Sequence, residues 1–130
     1  MKNMNLPKAL LDWGPQIVAA AILAMAMVPK LMGAPEAIDT FTKLGIEPWG
    51  RYLLGLLELG TAVLLLMPSK RVLGALAAST LMVGALGSHA TVLGFSGDAG
   101  AMAAMAVVVL LSSLTVLSLH RDELRKLVPR

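Results

Sequence analysis

Apolar residues run along this chain in four blocks, each ended by a turn signal or a group of polar residues. The first runs from about Gly14 to Met32 (GPQIVAAAILAMAMVPKLM) and the second from about Trp49 to Met67 (WGRYLLGLLELGTAVLLLM). The third covers Val72 to about Leu93 and the fourth Gly100 to Leu119. Each block is close to the roughly 20 helical residues that cross a hydrocarbon layer. Pro15 is expected in the first turn of its helix, where a missing N–H leaves nothing unbonded. Trp13, Trp49 and Tyr52 stand at block edges, where amphipathic rings favour a membrane interface. Pro68-Ser69-Lys70-Arg71 and Phe95-Ser96-Gly97-Asp98 are short turns, so the helices they join are antiparallel neighbours. The pattern predicts an all-α, membrane-embedded four-helix bundle in a single domain, followed by a charged helix or tail over residues 120–130.

The first connection has a period of its own. Pro35 and Glu36 suit a first helical turn, Ile38, Phe41 and Leu44 recur three residues apart, and Gly45 can end the helix. A short amphipathic helix is predicted there, lying on the membrane surface or folded over the mouth of the bundle.

Composition supports the membrane reading. Of 130 residues, 57% are hydrophobic and only 15% charged, with a mean hydropathy of +0.77. A soluble domain carries about 25% charged and under about 50% apolar residues, so the surplus here is destined for lipid. The absence of cysteine excludes disulfides, thiolate metal sites and dithiol redox chemistry. A net charge of +3 would suit nucleic acid, but the basic residues cluster at block ends, and no nucleic-acid partner is expected. The apolar run from Gly14 is span-length and lacks a small-residue cleavage site, so a retained helix is expected rather than a cleaved leader. With four spans, both termini and the second connection share one side. Eight basic residues (Lys2, Lys8, Lys70, Arg71, Arg121, Arg125, Lys126, Arg130) fall there, against Lys30, Lys43 and Arg51 opposite. The positive-inside rule puts both termini in the cytoplasm.

Three ionisable side chains fall inside the blocks: Lys30, Glu58 and His89. At about 1.5 Å of rise per residue, Glu58 lies roughly 14 Å into the layer from the Pro68 turn, near mid-membrane. Lys30 and His89 lie roughly 24–26 Å from the same side. A lysine stem spans about 6 Å, so the three are expected to converge in the outer half. Glu58 shares a small, polar helical stripe with Arg51, Gly55, Thr61 and Ala62, while Leu53, Leu56, Leu57 and Leu64 face the other way. It should therefore point into the bundle. A carboxylate at that depth costs about 2.5–3.5 kcal/mol on insertion scales, so it must be paired, protonated or set beside a polar cavity.

Two readings stand. Glu58 either locks helix register through Lys30, Arg51, Ser88 or His89, or lines a binding pocket with those residues. Pro29 can bend the end of the first helix and open space beside Lys30, which otherwise snorkels outward. His120 is expected to be solvated. Two histidines at opposite faces exclude a bis-histidine haem, and Glu58 with His89 supplies too few ligands to predict a metal. Gly74, Ala77 or Ala78, Thr80 or Leu81, Gly84 and Ser88 form a small-residue stripe, and Ala101, Ala103 and Ala104 another, where helices can approach closely. Ser112, Ser113, Thr115 and Ser118 can satisfy one another or the carbonyl four residues back. Met25, Met27, Met82, Met102 and Met105 suit adaptable packing or a plastic apolar pocket.

Pro29-Lys30-Leu31, Phe41 to Pro48 (FTKLGIEP), Tyr52 to Gly60 (YLLGLLELG), Leu66-Met67-Pro68 and Gly84 to His89 (GALGSH) together resemble the DoxX-like family of small bacterial membrane proteins. The resemblance covers about residues 14 to 119, and Pro29 departs from the glycine often found beside the lysine. It implies a bacterial inner-membrane location. It also implies a redox setting: similarly named proteins are subunits of a thiosulfate:quinone oxidoreductase, and others are linked to oxidative-stress complexes. No catalytic residue is assigned. The expectation is an accessory subunit, beside a redox-enzyme partner and open to homo-oligomerisation, that binds a quinone-like or lipid-like molecule in an outward-facing pocket. Glu58, Lys30, His89, Arg51 and Ser88 are its candidate ligand contacts. A quinone is the candidate cofactor, since the chain has no cofactor motif of its own. The alternatives are a structural or chaperone-like subunit without ligand and a quinone-linked oxidoreductase.

Overall fold

All four blocks are helical in a computed structural model that describes residues 6–127. Lys2 and Arg130, counted above for orientation, lie outside the described residues. The order is α1 (Leu6–Met32), α2 (Pro35–Lys43), α3 (Trp49–Leu66), α4 (Arg71–Ser88), α5 (Asp98–Leu119) and α6 (Arg121–Leu127). A π-helical turn, His89–Leu93, prolongs α4, so the third span is Arg71–Leu93. The predicted amphipathic helix is α2, which ends where Gly45 takes a φ of +78°.

The first helix is longer than its apolar block. It begins at Leu6, and Pro15 lies inside it rather than in its first turn. Pro7 supplies the first-turn proline instead, and Leu6, Leu10 and Leu11 continue the apolar face backward at helical spacing. An internal proline removes one backbone hydrogen bond, which membrane helices tolerate because neighbouring groups compensate.

Helices α1, α3, α4 and α5 form a ring in which α1 packs on α3 and α5, and α4 on the same two. The core is built mostly from small residues: Ala19, Ala20, Ala62, Ala75, Ala78 and Ala106 around Leu23, Leu65, Met82, Val109 and Val116. Without a hydrophobic drive between helices in lipid, close backbone approach must supply the attraction, and alanine permits it. Met25, Met102 and Met105 face outward, as do Leu53, Leu56 and Leu57; of the methionines singled out above Met82 is buried and Met27 partly covered. The small-residue stripes are only partly as expected. Gly74 and Ala78 are buried but Gly84 is exposed, and on α5 Ala103 and Ala106 face inward while Ala101 and Ala104 do not. Every face of α5 is apolar, so hydropathy contains no information about which one meets the bundle.

Gln16 is fully buried, and its amide nitrogen donates to the Leu65 carbonyl across the α1–α3 interface at 2.8 Å. Leu65 sits in the last turn of α3, where carbonyls have no helical donor. Replacing Gln16 by leucine should lower stability by about 1–3 kcal/mol, because that carbonyl then stays buried and unbonded. Chemical denaturation in micelles, followed by helical circular dichroism, measures this.

At the same end, α6 folds back on the α3–α4 turn. Arg71 grips Glu123 with two hydrogen bonds, Nε to Oε2 at 3.0 Å and Nη2 to Oε1 at 3.1 Å. His120, expected to be solvated, has a side chain only 9% exposed, with Nδ1 3.5 Å from Glu123 Oε2. Burial and the neighbouring Arg71 hold its pKa below the ordinary 6.5, against the opposing pull of Glu123 and Asp12. The folded state therefore prefers neutral His120, while the unfolded chain takes up a proton more readily. Its contribution is present above pH 6.5 and lost as the pH falls through and below that value. A melting temperature that declines from pH 7 to pH 5, and declines less in His120→Gln, is the expected result.

Candidate functional site

At the opposite end of the bundle, Lys30 near the end of α1 meets Glu58 in the middle of α3. Lys30 Nζ lies 2.8 Å from Glu58 Oε1 and donates to the Ala26 carbonyl at 3.2 Å. The two side chains are 17% and 5% exposed, so the lysine does not snorkel outward but turns in to the carboxylate. Gly55, one turn before Glu58, makes this reach feasible. A Cβ there would stand 2.7 Å from Leu31 Cδ2 and 3.3 Å from Lys30 Cβ, so a larger residue would have to displace the Leu31 side chain that packs there.

Arg51, one further turn along α3, does not pair with Glu58. Its Nε lies 3.0 Å from both carboxylate oxygens of Glu47, and Nη2 is 2.9 Å from Glu47 Oε1. Its Nη1 donates to the backbone carbonyl of Lys30 at 2.6 Å, closing the end of α1, and the guanidinium lies 4.3 Å from the Tyr52 ring centre. Gly33 turns the chain beside it with a φ of +71°, a conformation that favours glycine. Arg51 therefore anchors the backbone of the residue whose amine contacts Glu58.

The other two candidates have local partners. His89 is buried, with Nδ1 2.9 Å from the Gly94 carbonyl and its ring 6.0 Å from that of Phe95. A carbonyl can only accept, so Nδ1 carries a proton in this contact. Ser88 is partly exposed and donates to the Gly84 carbonyl at 3.0 Å. The fold thus brings Lys30, Glu58 and Arg51 together, and uses His89 and Ser88 to finish α4. The helix α2 rests on α1, α3 and the π-helical turn, with Phe41 buried beneath it. Glu58 is thus buried, at 5% exposure, while Lys30 keeps 17%. A shallow cavity of about 100 Å³ lies at the other end, between Ser69, Lys70, Val72, Leu73, Glu123 and Leu127. Among the described residues, no three His, Asp or Glu side chains group to hold a metal.

Three residues of these networks went unremarked in the sequence: Gln16, Glu47 and Glu123. Glu47 lies in the turn before α3, ahead of the N-cap Pro48, so its pairing with Arg51 is not a helical-periodicity signal. Gln16 is an uncharged amide within an apolar block, which gives no clue to its partner, and Glu123 sits in a tail rich in charge.

Four lipid-length helices, an amphipathic helix over one end and an ion pair buried between two spans define a small multi-pass membrane protein. The model of the DoxX-like family matches residues 15–116, and the chain belongs to that family. No curated protein and no solved structure matches it.

Proposed function

We propose that this protein is an accessory membrane subunit that receives the polar head of a quinone-like or lipid-like molecule at the Lys30–Glu58 pair and supports a redox-enzyme partner. The observation that carries the reading is the pair itself. A lysine and a glutamate are removed from water inside an interface that alanine and glycine already close, where two apolar side chains would pack without desolvating charge. Lys30 Nζ donates to the Ala26 carbonyl and lies 2.8 Å from Glu58 Oε1 as an ion pair, and its side chain keeps 17% exposure, so the ammonium has N–H capacity left for a head group. The apolar outer faces of α1 and α3 offer a seat for the tail. The basic-residue asymmetry orients the protein with both termini in the cytoplasm of a bacterial inner membrane.

The structural reading, with the pair as a register lock and no ligand, is favoured by the tight fit of Leu31 and Lys30 against Gly55. Native mass spectrometry of gently extracted protein separates the two. A co-purifying amphiphile that disappears in Lys30→Met, Glu58→Leu while the helical content persists supports binding. Protein equally free of bound amphiphile in both forms leaves the lock.

A further inference from the structure

We infer that the head group accepted at Lys30–Glu58 is uncharged, a hydroxyl or carbonyl compound rather than a phosphate, sulfate or carboxylate. This rests on the binding reading above and narrows its chemistry. The inference comes from the charge balance at this end of the bundle. Each basic side chain on that side among the described residues is matched by a carboxylate: Lys30 by Glu58 at 2.8 Å, Arg51 by Glu47 at 2.9 Å and Lys43 by Asp39 at 3.1 Å. Glu36 and Asp98 add two further negative charges there, so the five carboxylates outnumber the three cations. Arg51, the usual choice for gripping an anion, already has its fork on Glu47 and its remaining edge on the Lys30 carbonyl.

An anionic head arriving at Lys30 would meet the Glu58 carboxylate at the same contact, and like charges held together out of water repel strongly. A hydroxyl or carbonyl avoids this. It accepts a Lys30 N–H that Ala26 does not use, and a hydroxyl can also donate to Glu58, leaving the ion pair in place.

Two neutral sources share this chemistry, a quinone head and the free hydroxyl of a neutral glycerolipid, and both are testable on the full chain in micelles. The probes are a short-chain benzoquinone, a diacylglycerol and phosphatidylglycerol, with binding read by native mass spectrometry and by thermal shift. One of the neutral probes should bind at least about tenfold more tightly than phosphatidylglycerol. Which of them binds identifies the source. Glu58→Gln leaves Lys30 as an uncompensated cation and should shift that preference toward phosphatidylglycerol by about tenfold or more. Lys30→Met, Glu58→Leu should abolish binding of the neutral probe. If wild-type protein prefers phosphatidylglycerol and loses it in the double variant, or if Glu58→Gln leaves the preference unchanged, the inference is overturned while ligand binding stands. If no probe responds to either variant, the binding reading falls with it.

Discussion

Lys30→Met is expected to lower stability by about 3–5 kcal/mol, because it leaves the Glu58 carboxylate buried without its partner. Glu58→Leu should cost a similar amount by stranding the ammonium. The double variant Lys30→Met, Glu58→Leu should recover most of the loss, since two well-packed apolar side chains avoid the desolvation of both charges. The recovery is the informative part. It separates the energy of the pair from the penalty of breaking it, as a double-mutant cycle is built to do. Reversible denaturation in mixed micelles gives all four stabilities. Single variants within about 1 kcal/mol of wild type would show that water screens the pair, and would end the picture of a largely buried ion pair. Should the double variant be as stable as wild type yet lose function, the pair is retained for what it binds rather than for the fold.

The second large effect is expected at Gly74, where α4 lies against α3. A Cβ at that position would fall 2.7 Å from the Leu65 backbone nitrogen and 3.0 Å from the Leu64 carbonyl carbon. Backbone cannot rotate aside as a side-chain tip can, so Gly74→Ala must push the two helices apart. That disrupts the alanine contacts around Ala75 and Ala78, and an overpacked interface costs about 1–3 kcal/mol. Gly84→Ala provides the control on the same helix. Nothing lies within 4 Å of its Cβ position, and alanine is the better helix former by about 0.8–1.0 kcal/mol, so this variant should be neutral or stabilising. Equal effects at the two glycines would contradict a tight α3–α4 approach.

Much of this was legible before any coordinates. The stripe Arg51, Gly55, Glu58, Thr61 and Ala62 is the buried face of α3, because leucines cover the rest of that helix and only one side is small or polar. The depth of Glu58 and the reach of a lysine stem made Lys30 a candidate partner, and the 2.8 Å contact is that pairing. The same reasoning left Arg51, Ser88 and His89 as equal alternatives. Residue type and depth do not encode which neighbour a side chain meets when several lie within reach. Arg51 had a closer carboxylate four residues earlier, and His89 had the Gly94 carbonyl at the end of its own helix.

What the sequence determined by itself is whatever follows from solvent preference along one chain: four lipid-length helices, the amphipathic α2 between the first two and the inward face of α3. These depend on local periodicity and on the cost of placing charge in hydrocarbon, both properties of a short window. Tertiary structure decided the rest. It chose the inward face of α5, which is apolar all round, seated the Gln16 amide on the Leu65 carbonyl, and buried His120 by folding α6 back onto Arg71. It also assembled the site, since Gly55 brings α1 against α3 and Arg51 ties the end of α1 down. Each of these depends on distances between residues far apart in the chain, and no pattern of hydropathy records them.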